Sequence, residues 1–366
     1  MKIERAIISG GGTGGHIFPA IAIADEIKRR NPDAAILFVG AEGKMEMEKV
    51  PEAGYIIKGL QIVGFKRKLA LSNFTLPFKI IKSLWKARKI IKDFKPQVAV
   101  GVGGYASGPT LKAATMLKIP SMVQEQNSFP GKTNKLLSKS VQKICVAYEG
   151  LDRFFPSDKI ILTGNPTRKN MTDISGKEKE GYEFYDFDTN KKTILIIGGS
   201  LGARTLNESV INKLEELKKA NVNVLWQCGK LYHEKLQGEL KNNDMGAVKM
   251  VQFIHRMDLA YAIADVVISR AGAISVSELC LVKKPTILVP SPNVSEDHQT
   301  KNAMALVNKK AAILIKDIEA KVQLIPEALN LISDQHKCQE LSTNIASLGK
   351  PNATKEIVNQ LELLIK

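Results

Sequence analysis

The chain has 366 residues, 44% of them hydrophobic and 25% charged, which supplies cores for two globular domains and excludes general disorder. Its net charge of +16, from 53 Lys and Arg against 37 Asp and Glu, points to anionic partners such as acidic lipid, phosphate-bearing substrates or nucleic acid. An aromatic content of 6% without a base-stacking motif argues against nucleic acid, and the separated Cys145, Cys228, Cys280 and Cys338 call for no zinc cluster, metal or disulfide framework.

From Met1 the chain runs directly into a strand-like segment with no basic leader, and no apolar run reaches about 18 residues. A cytosolic chain without a membrane span is therefore expected. Short β-branched runs at Arg5–Ser9, Ala35–Val39, Val98–Val102, Ser121–Gln124 and Lys143–Ala147 alternate with amphipathic stretches, the pattern of βαβ units on a parallel sheet. The first run empties into Gly10, Gly12 and Gly15, which satisfy GxGxxG between a strand and a helix. That pattern fits a dinucleotide fingerprint. More generally it lets backbone N–H groups at a helix start approach an anion.

Between Glu52 and Asp93 there is no acidic residue, while Lys58, Lys66, Arg67, Lys68, Lys79, Lys82, Lys86, Arg88, Lys89 and Lys92 add positive charge. Pro77 suits a helix start, and Ile80, Leu84, Ala87 and Ile91 mark a stripe facing the core. Phe74, Phe78, Ile81 and Trp85, flanked by Leu84, form a wider apolar set. This set reads as a patch for an anionic membrane surface, or as an interdomain or dimer contact.

A second glycine turn, Gly101, Gly103 and Gly104, precedes Tyr105. The stretch from Gly164 to Gly181 lacks apolar periodicity and reads as a linker. Beyond it the alternation restarts at Thr193–Ile197, Val222–Gln227, Val248–Phe253, Asp265–Ser269, Pro285–Val289 and Ala312–Ile315, with a third glycine turn at Gly198, Gly199 and Gly202 around Ser200. Asp186, Phe187 and Asp188 spell DxD, which metal-dependent glycosyltransferases use, but they stand ahead of a strand and read as a solvated turn. The expected domains are 1–164 and 165–345, with a terminal helix in 346–366 that can close either one, packing back on the first being one arrangement.

The expected fold class is α/β, with two Rossmann-like domains whose parallel sheets face a central cleft. A single NAD needs one glycine turn. Three, spread over both halves, suggest two phosphate-bearing ligands.

The motifs GGGTGGHIFPA (10–20), GVGGYASGP (101–109), QEQNSFPGKTNK (124–135), GNPTR (164–168), GGSLGARTLN (198–207), FIHRM (253–257), SRAGAISVSEL (269–279) and EDHQTKNA (296–303) follow one another in an order that resembles the MurG-type lipid II synthases. The resemblance implies an inverting GT-B transferase. It would move N-acetylglucosamine from UDP-GlcNAc to the C4 hydroxyl of MurNAc in undecaprenyl-linked lipid I, making lipid II for the cell wall. It also implies a peripheral place on the cytoplasmic face of the plasma membrane, and candidate partners among cell-wall and division proteins.

Carried over motif by motif, the UDP-GlcNAc contacts are Thr13, Gly14, Gly15, Asn127, Arg168, Ser200, Ile254, Ala273, Ile274, Ser275, Val276, Ser277, Glu278 and Gln299. Glu278 would accept the ribose hydroxyls, Ser200 and nearby amides would face the diphosphate, and Arg168 would add a fixed cation. Phe253 and Ile254 either pack near uracil, with backbone groups reading its edge, or complete the core at a strand end. Gly103, Gly104 and Tyr105, with the first loop, would face the acceptor pyrophosphate.

Direct displacement needs a base for the acceptor proton. His16 is the first candidate, with a hydrogen bond to phosphate or to its own glycine loop as the equal alternative. Glu125 is the reserve candidate, and orienting the loop of Asn127 is the reading favoured over that role. The competing functions are another UDP-sugar transferase acting on a lipid acceptor, a UDP-sugar-binding subunit without turnover, a UDP-sugar epimerase, and an NAD-dependent oxidoreductase.

Overall fold

The computed structural model describes residues 2–62, 76–167 and 173–365, with the backbone alone at 76–78 and 295. It forms two compact units, Met1–Thr167 with Lys350–Lys366, and Arg168–Gly349.

The first unit runs β1 (Arg5–Ser9), α1 (Gly14–Arg30), β2 (Ala35–Ala41), α2 (Glu46–Glu52), β3 (Ile56–Leu60), α3 (Leu76–Phe94), β4 (Val98–Gly101), α4 (Ser107–Met116), β5 (Ser121–Glu125), α5 (Lys132–Leu137), β6 (Lys143–Val146) and β7 (Ile160–Leu162). All pairings are parallel, in the order β3-β2-β1-β4-β5-β6-β7. Strand order reverses between β1 and β4, so the loops leaving those two strands open a crevice at their carboxyl ends. The central strands are apolar on both faces, as a sheet covered on both sides requires. Ala6 and Ile8 point to the side of α1, Ile7 to the side of α3 and α4.

Two edge strands, β3 and β7, escape the sequence reading because both are partly exposed, β3 being interrupted by Lys58 and Gly59 and β7 being three residues long.

On α1, Ile17, Ala20, Ile23, Ala24 and Ile27 face the sheet. The terminal helix (Ala353–Leu364) packs on the same side and places Ile357, Val358 and Leu361 in that core. Charged groups fasten it: Arg30 Nη1 donates to Glu362 at 2.8 Å and its Nη2 to the Lys355 carbonyl at 2.8 Å. Glu26, 8% exposed, accepts from both Arg29 and Arg30.

The second unit runs α6 (Glu178–Tyr185), β8 (Thr193–Ile197), α7 (Arg204–Asn212), α8 (Leu214–Lys219), β9 (Asn223–Gln227), α9 (His233–Glu239), β10 (Val248–Val251), α10 (Met257–Ile263), β11 (Val266–Ser269), α11 (Ala273–Val282), β12 (Thr286–Leu288), α12 (His298–Val307), β13 (Ile313–Leu314), α13 (Asp317–Ser333) and α14 (Gln335–Ser347). Its parallel sheet has the order β10-β9-β8-β11-β12-β13, again reversing beside the first strand. Trp226 is fully buried at its centre and donates from Nε1 to Asn207 at 3.0 Å.

The units part after Thr167 and after Gly349, against 164 and 345 in the sequence reading. Asn165 accounts for the first difference: it accepts from Gln124 at 2.9 Å and donates to the Gln126 carbonyl at 3.0 Å, inside the first unit. Helix α6 begins within the stretch read as linker; its buried Gly181 and Tyr185, packed toward α10, supply too few apolar positions to show a period.

Arg29 and then Arg30, by hydrogen bonding and charge, hold the Glu26 carboxyl down at about 2. A depressed carboxylate stabilises the fold above its unfolded value, about 4, and loses that contribution as pH falls toward 2. Glu26→Gln should cost about 1–3 kcal/mol at pH 7. Denaturant melts of the variant and the parent should converge as pH drops from about 4.5 toward 2.

Candidate functional site

At the switch point of the first unit, β1 delivers its chain into Gly10–Thr13 and β4 into Val102–Ala106. The two loops meet backbone to backbone. A Cβ on Gly104, whose φ is +88°, would lie 2.5 Å from the Gly11 carbonyl, and one on Gly10 would lie 2.1 Å from Val102 Cγ2. Helix α1 then starts at Gly14 with Thr13 extended at the N-cap, no side-chain cap and no acidic residue in the first turn. The amide end of α1 is thus positive.

His16, half-buried, sets Nδ1 2.9 Å from the Gly11 carbonyl. Its ring lies over Gly103, where a Cβ at φ +99° would come within 2.9 Å of Cδ2 and Nε2. Tyr105 stands 51% exposed at the rim.

Beneath the loop lies a group the sequence reading missed. Glu46, 1% exposed, accepts from Gly12 N at 2.8 Å and from Ala41 N at 3.0 Å. Its only sequence signal is an acidic residue at the start of a short helix.

Glu125, also 1% exposed, has both oxygens engaged: Oε1 accepts from Asn127 N at 3.0 Å and Nδ2 at 3.2 Å, Oε2 from Gly131 N at 3.1 Å and Asn134 Nδ2 at 2.9 Å. These four donors commit Glu125 to its own loop, the alternative to its reserve role as base. Asn127 is held at the loop's start by that carboxylate.

In the second unit, β8 ends in the loop 198–203 and β9 in 228–231. Here too the fit is glycine on glycine, since a Cβ on Gly229 would lie 2.1 Å from Gly202 Cα. Ser200 is exposed on this loop, and its carbonyl accepts from Lys230 N at 3.0 Å. Helices α7 and α11 both start without a side-chain cap or an acidic residue in their first turns.

On α11, Ala273 and Val276 turn inward, at 9% and 1% exposed, while Ile274, Ser275 and Ser277 are half-buried and Glu278 is buried. The polar features of that helix are its N-terminal amides, Ser275, Ser277 and Glu278.

Arg270, just before α11, was also missed by sequence. It donates to the carbonyls of Val289 and Pro290 and pairs with Asp317, stitching the loops after β11 and β12 to α13. Gln299 accepts from Ser291 N at 2.8 Å and so shapes the turn before α12.

Ile254 is 2% exposed, and its amide donates to Gln227 at 3.2 Å. The expectation that its backbone reads uracil narrows to the carbonyl. Phe253 is exposed and stacks edge-on to His255.

Arg168 and Phe74 lie outside the described residues, as does the side chain of Phe78. Of the remaining patch, Ile81 and Trp85 are 53% and 67% exposed. Leu84 instead packs against the core beside Ala87, Ile90 and Ile91, and Ile80, read as core-facing, is 45% exposed. The inward stripe holds at Leu84, Ala87 and Ile91, with Ser83 buried at its start in place of the expected Ile80. In the DxD run, Asp186 pairs with Lys249 at 2.7 Å and Asp188 accepts from Asn190 N at 2.9 Å, in the turn entering β8.

Residues 6–146 match the glycosyltransferase family 28 N-terminal domain and residues 193–360 the family 28 C-terminal domain. The UDP-N-acetylglucosamine–N-acetylmuramyl-(pentapeptide) pyrophosphoryl-undecaprenol N-acetylglucosamine transferase of Flavobacterium psychrophilum is 54% identical, over 100% of this chain and 99% of its own length. The transferase of the same name from Bacteroides fragilis is 54% identical over 98% of this chain and 94% of its own. Among solved structures, MurG of Acinetobacter baumannii superposes with a TM-score of 0.79 at 28% identity, covering 98% of this chain and 99% of that one.

The glycine contacts separate two kinds of substitution. At Gly12, φ is +84° but a Cβ would meet nothing within 4 Å, so Gly12→Ala should cost only left-handed strain, about 1 kcal/mol. Gly104→Ala adds the collision with Gly11 and should cost at least about 2 kcal/mol. Urea titrations of the two variants test the ranking.

Proposed function

The chain belongs to the UDP-N-acetylglucosamine–N-acetylmuramyl-(pentapeptide) pyrophosphoryl-undecaprenol N-acetylglucosamine transferases, and on that premise we propose how its own residues carry the reaction. It moves N-acetylglucosamine from UDP-GlcNAc to lipid I, giving lipid II for peptidoglycan. The observation that carries this reading is the end-to-end identity with transferases named for that reaction.

The second unit takes the donor. The loop of Ser200 and the amide ends of α7 and α11 meet the diphosphate, where positive helix ends favour the charge of departing UDP. Glu278 takes the ribose hydroxyls, the Ile254 carbonyl reads uracil, Gln299 shapes the adjoining turn, and Arg168 adds its cation.

The first unit takes the acceptor. The amides of Thr13, Gly14 and Gly15, with Gly103, Gly104 and Tyr105, face its pyrophosphate.

His16 is the base. A carbonyl can only accept, so the bond to Gly11 puts the ring proton on Nδ1 and leaves the neutral lone pair on Nε2. The C4 hydroxyl oxygen attacks the anomeric carbon from the face opposite the leaving group as its proton passes to Nε2. The bond from the anomeric carbon to the phosphate oxygen breaks, UDP leaves with the electron pair, and configuration inverts.

Among the described residues no helix is long and apolar enough to cross a membrane. The exposed Ile80, Ile81 and Trp85, beside exposed Lys79, Lys82, Lys86 and Lys89 on α3, form a surface for peripheral attachment to anionic lipid at the cytoplasmic face.

Incubation with labelled UDP-GlcNAc and a lipid I analogue should carry label into lipid. His16→Ala should lower kcat by about 10²- to 10⁴-fold while calorimetric donor affinity stays within a few-fold; normal turnover in that variant removes His16 from the chemistry. Replacing both Ile81 and Trp85 with Ser should weaken sedimentation with anionic vesicles by at least about tenfold, and undiminished binding would exclude α3 as the lipid contact.

A further inference from the structure

The buried carboxylate of Glu46 and the ring of His16 hold opposite ends of one peptide group. Glu46 Oε2 accepts from Gly12 N at 2.8 Å, and His16 Nδ1 lies 2.9 Å from the carbonyl of Gly11. That N–H and that carbonyl belong to the same planar, conjugated unit. We propose that Glu46, the Gly11–Gly12 peptide and His16 form a relay in which Glu46 acts as a positioning residue that fixes the tautomer of His16 and raises its basicity. The inference rests on His16 as the base.

The arrangement resembles the logic of a carboxylate behind a catalytic imidazole, with a peptide interposed. An acceptor on the N–H end pulls electron density toward the carbonyl end, and linked hydrogen bonds strengthen one another by roughly 10–30% each. The carbonyl thereby becomes a better acceptor for Nδ1–H. As Nε2 gains a proton, the buried negative charge one peptide away stabilises the imidazolium.

The space for this carboxylate is reserved. A Cβ on Gly11 would fall 2.1 Å from Glu46 Oε1, and one on Gly40 would fall 2.6 Å from its Cγ. The second oxygen is committed to Ala41 N at 3.0 Å, so the carboxylate cannot swing away from the loop without losing both donors.

Among the described residues, the charged groups of the elements packed about the ring can be named. Loop 10–13 has none, α1 has none before Asp25, and loop 102–106 has Tyr105 alone. At the end of β5, Glu125 is committed to its own loop. The turn into α2 and that helix add Glu42, paired with Lys86, Lys49, paired with Glu52, and the exposed Lys44 and Glu48.

The test is nitrogen NMR of the full chain with labelled histidine, His16 being assigned by its loss in His16→Ala. In the parent protein the neutral ring should carry its proton on Nδ1. In Glu46→Gln the His16 midpoint should fall by on the order of one unit. The acid limb of kcat/KM should move down with it, and kcat should drop about 10- to 100-fold, as when a partner behind a functional histidine is lost, with KM for UDP-GlcNAc unchanged.

An Nε2–H ring in the parent overturns the relay without any variant, so the proposal stays exposed even if Glu46→Gln fails to fold. A folded Glu46→Gln with an unmoved midpoint overturns it too. Normal turnover in His16→Ala would instead overturn the base assignment, which separates the two failures.

Discussion

The first unit's site depends on a close approach of main chain to main chain. Gly104 comes so near Gly11 that one methyl group would part them, and Gly10 sits as tightly on Val102. Where the two loops close on each other, the Gly11 carbonyl accepts from His16 and the Gly12 amide turns down to Glu46. The second unit uses the same device at Gly202 and Gly229. Left-handed backbone at Gly103, Gly104, Gly202 and Gly229 makes glycine the residue that can hold these turns.

What the sequence discloses follows from how local each feature is. The inner strands declare themselves because both faces are buried, so Ala6 to Ile8 or Ile194 to Ile196 read as unbroken apolar runs. At the sheet margins that logic fails, and β3 and β7 pass unnoticed. On α3 the stripe holds at Leu84, Ala87 and Ile91 and fails at its first position: Ile80 fits a helical stripe as well as Ser83 does, and only packing shows that the polar residue is the one turned inward.

The glycine turns are legible because strand, glycines and helix are contiguous. Glu46 is not, since it reaches its partner across 34 residues of chain. The donor and acceptor contacts come from the motif resemblance; composition, glycine turns and periodicity indicate the two domains, two ligands carrying phosphate and the basic, apolar patch of α3.

The segment 124–135 is a scaffold before it is a contact set. Gln124, Gln126, Glu125, Asn134 and Asn165 bind one another and the main chain, with Gln126 reaching the Val102 carbonyl at 2.8 Å. Lys135 lies over the rings of Phe129 and Phe154, 4.1 and 4.6 Å from their centroids, and pins the outer part of the loop. A buried polar web of this kind tolerates few rearrangements, because each freed group would be left without water. It presents Asn127 in a defined pose.

The chain leaves the first unit at Thr167 and returns to it at Lys350. Ile357, Val358 and Leu361 are fully buried against α1. A ribosome therefore releases the whole second unit before it makes the residues that complete the first. Until those last residues emerge, α1 carries an uncovered apolar flank, so the half begun first is finished last. Termination just before Ile357 would leave the second unit's own core entire while stripping the flank of the helix that carries His16.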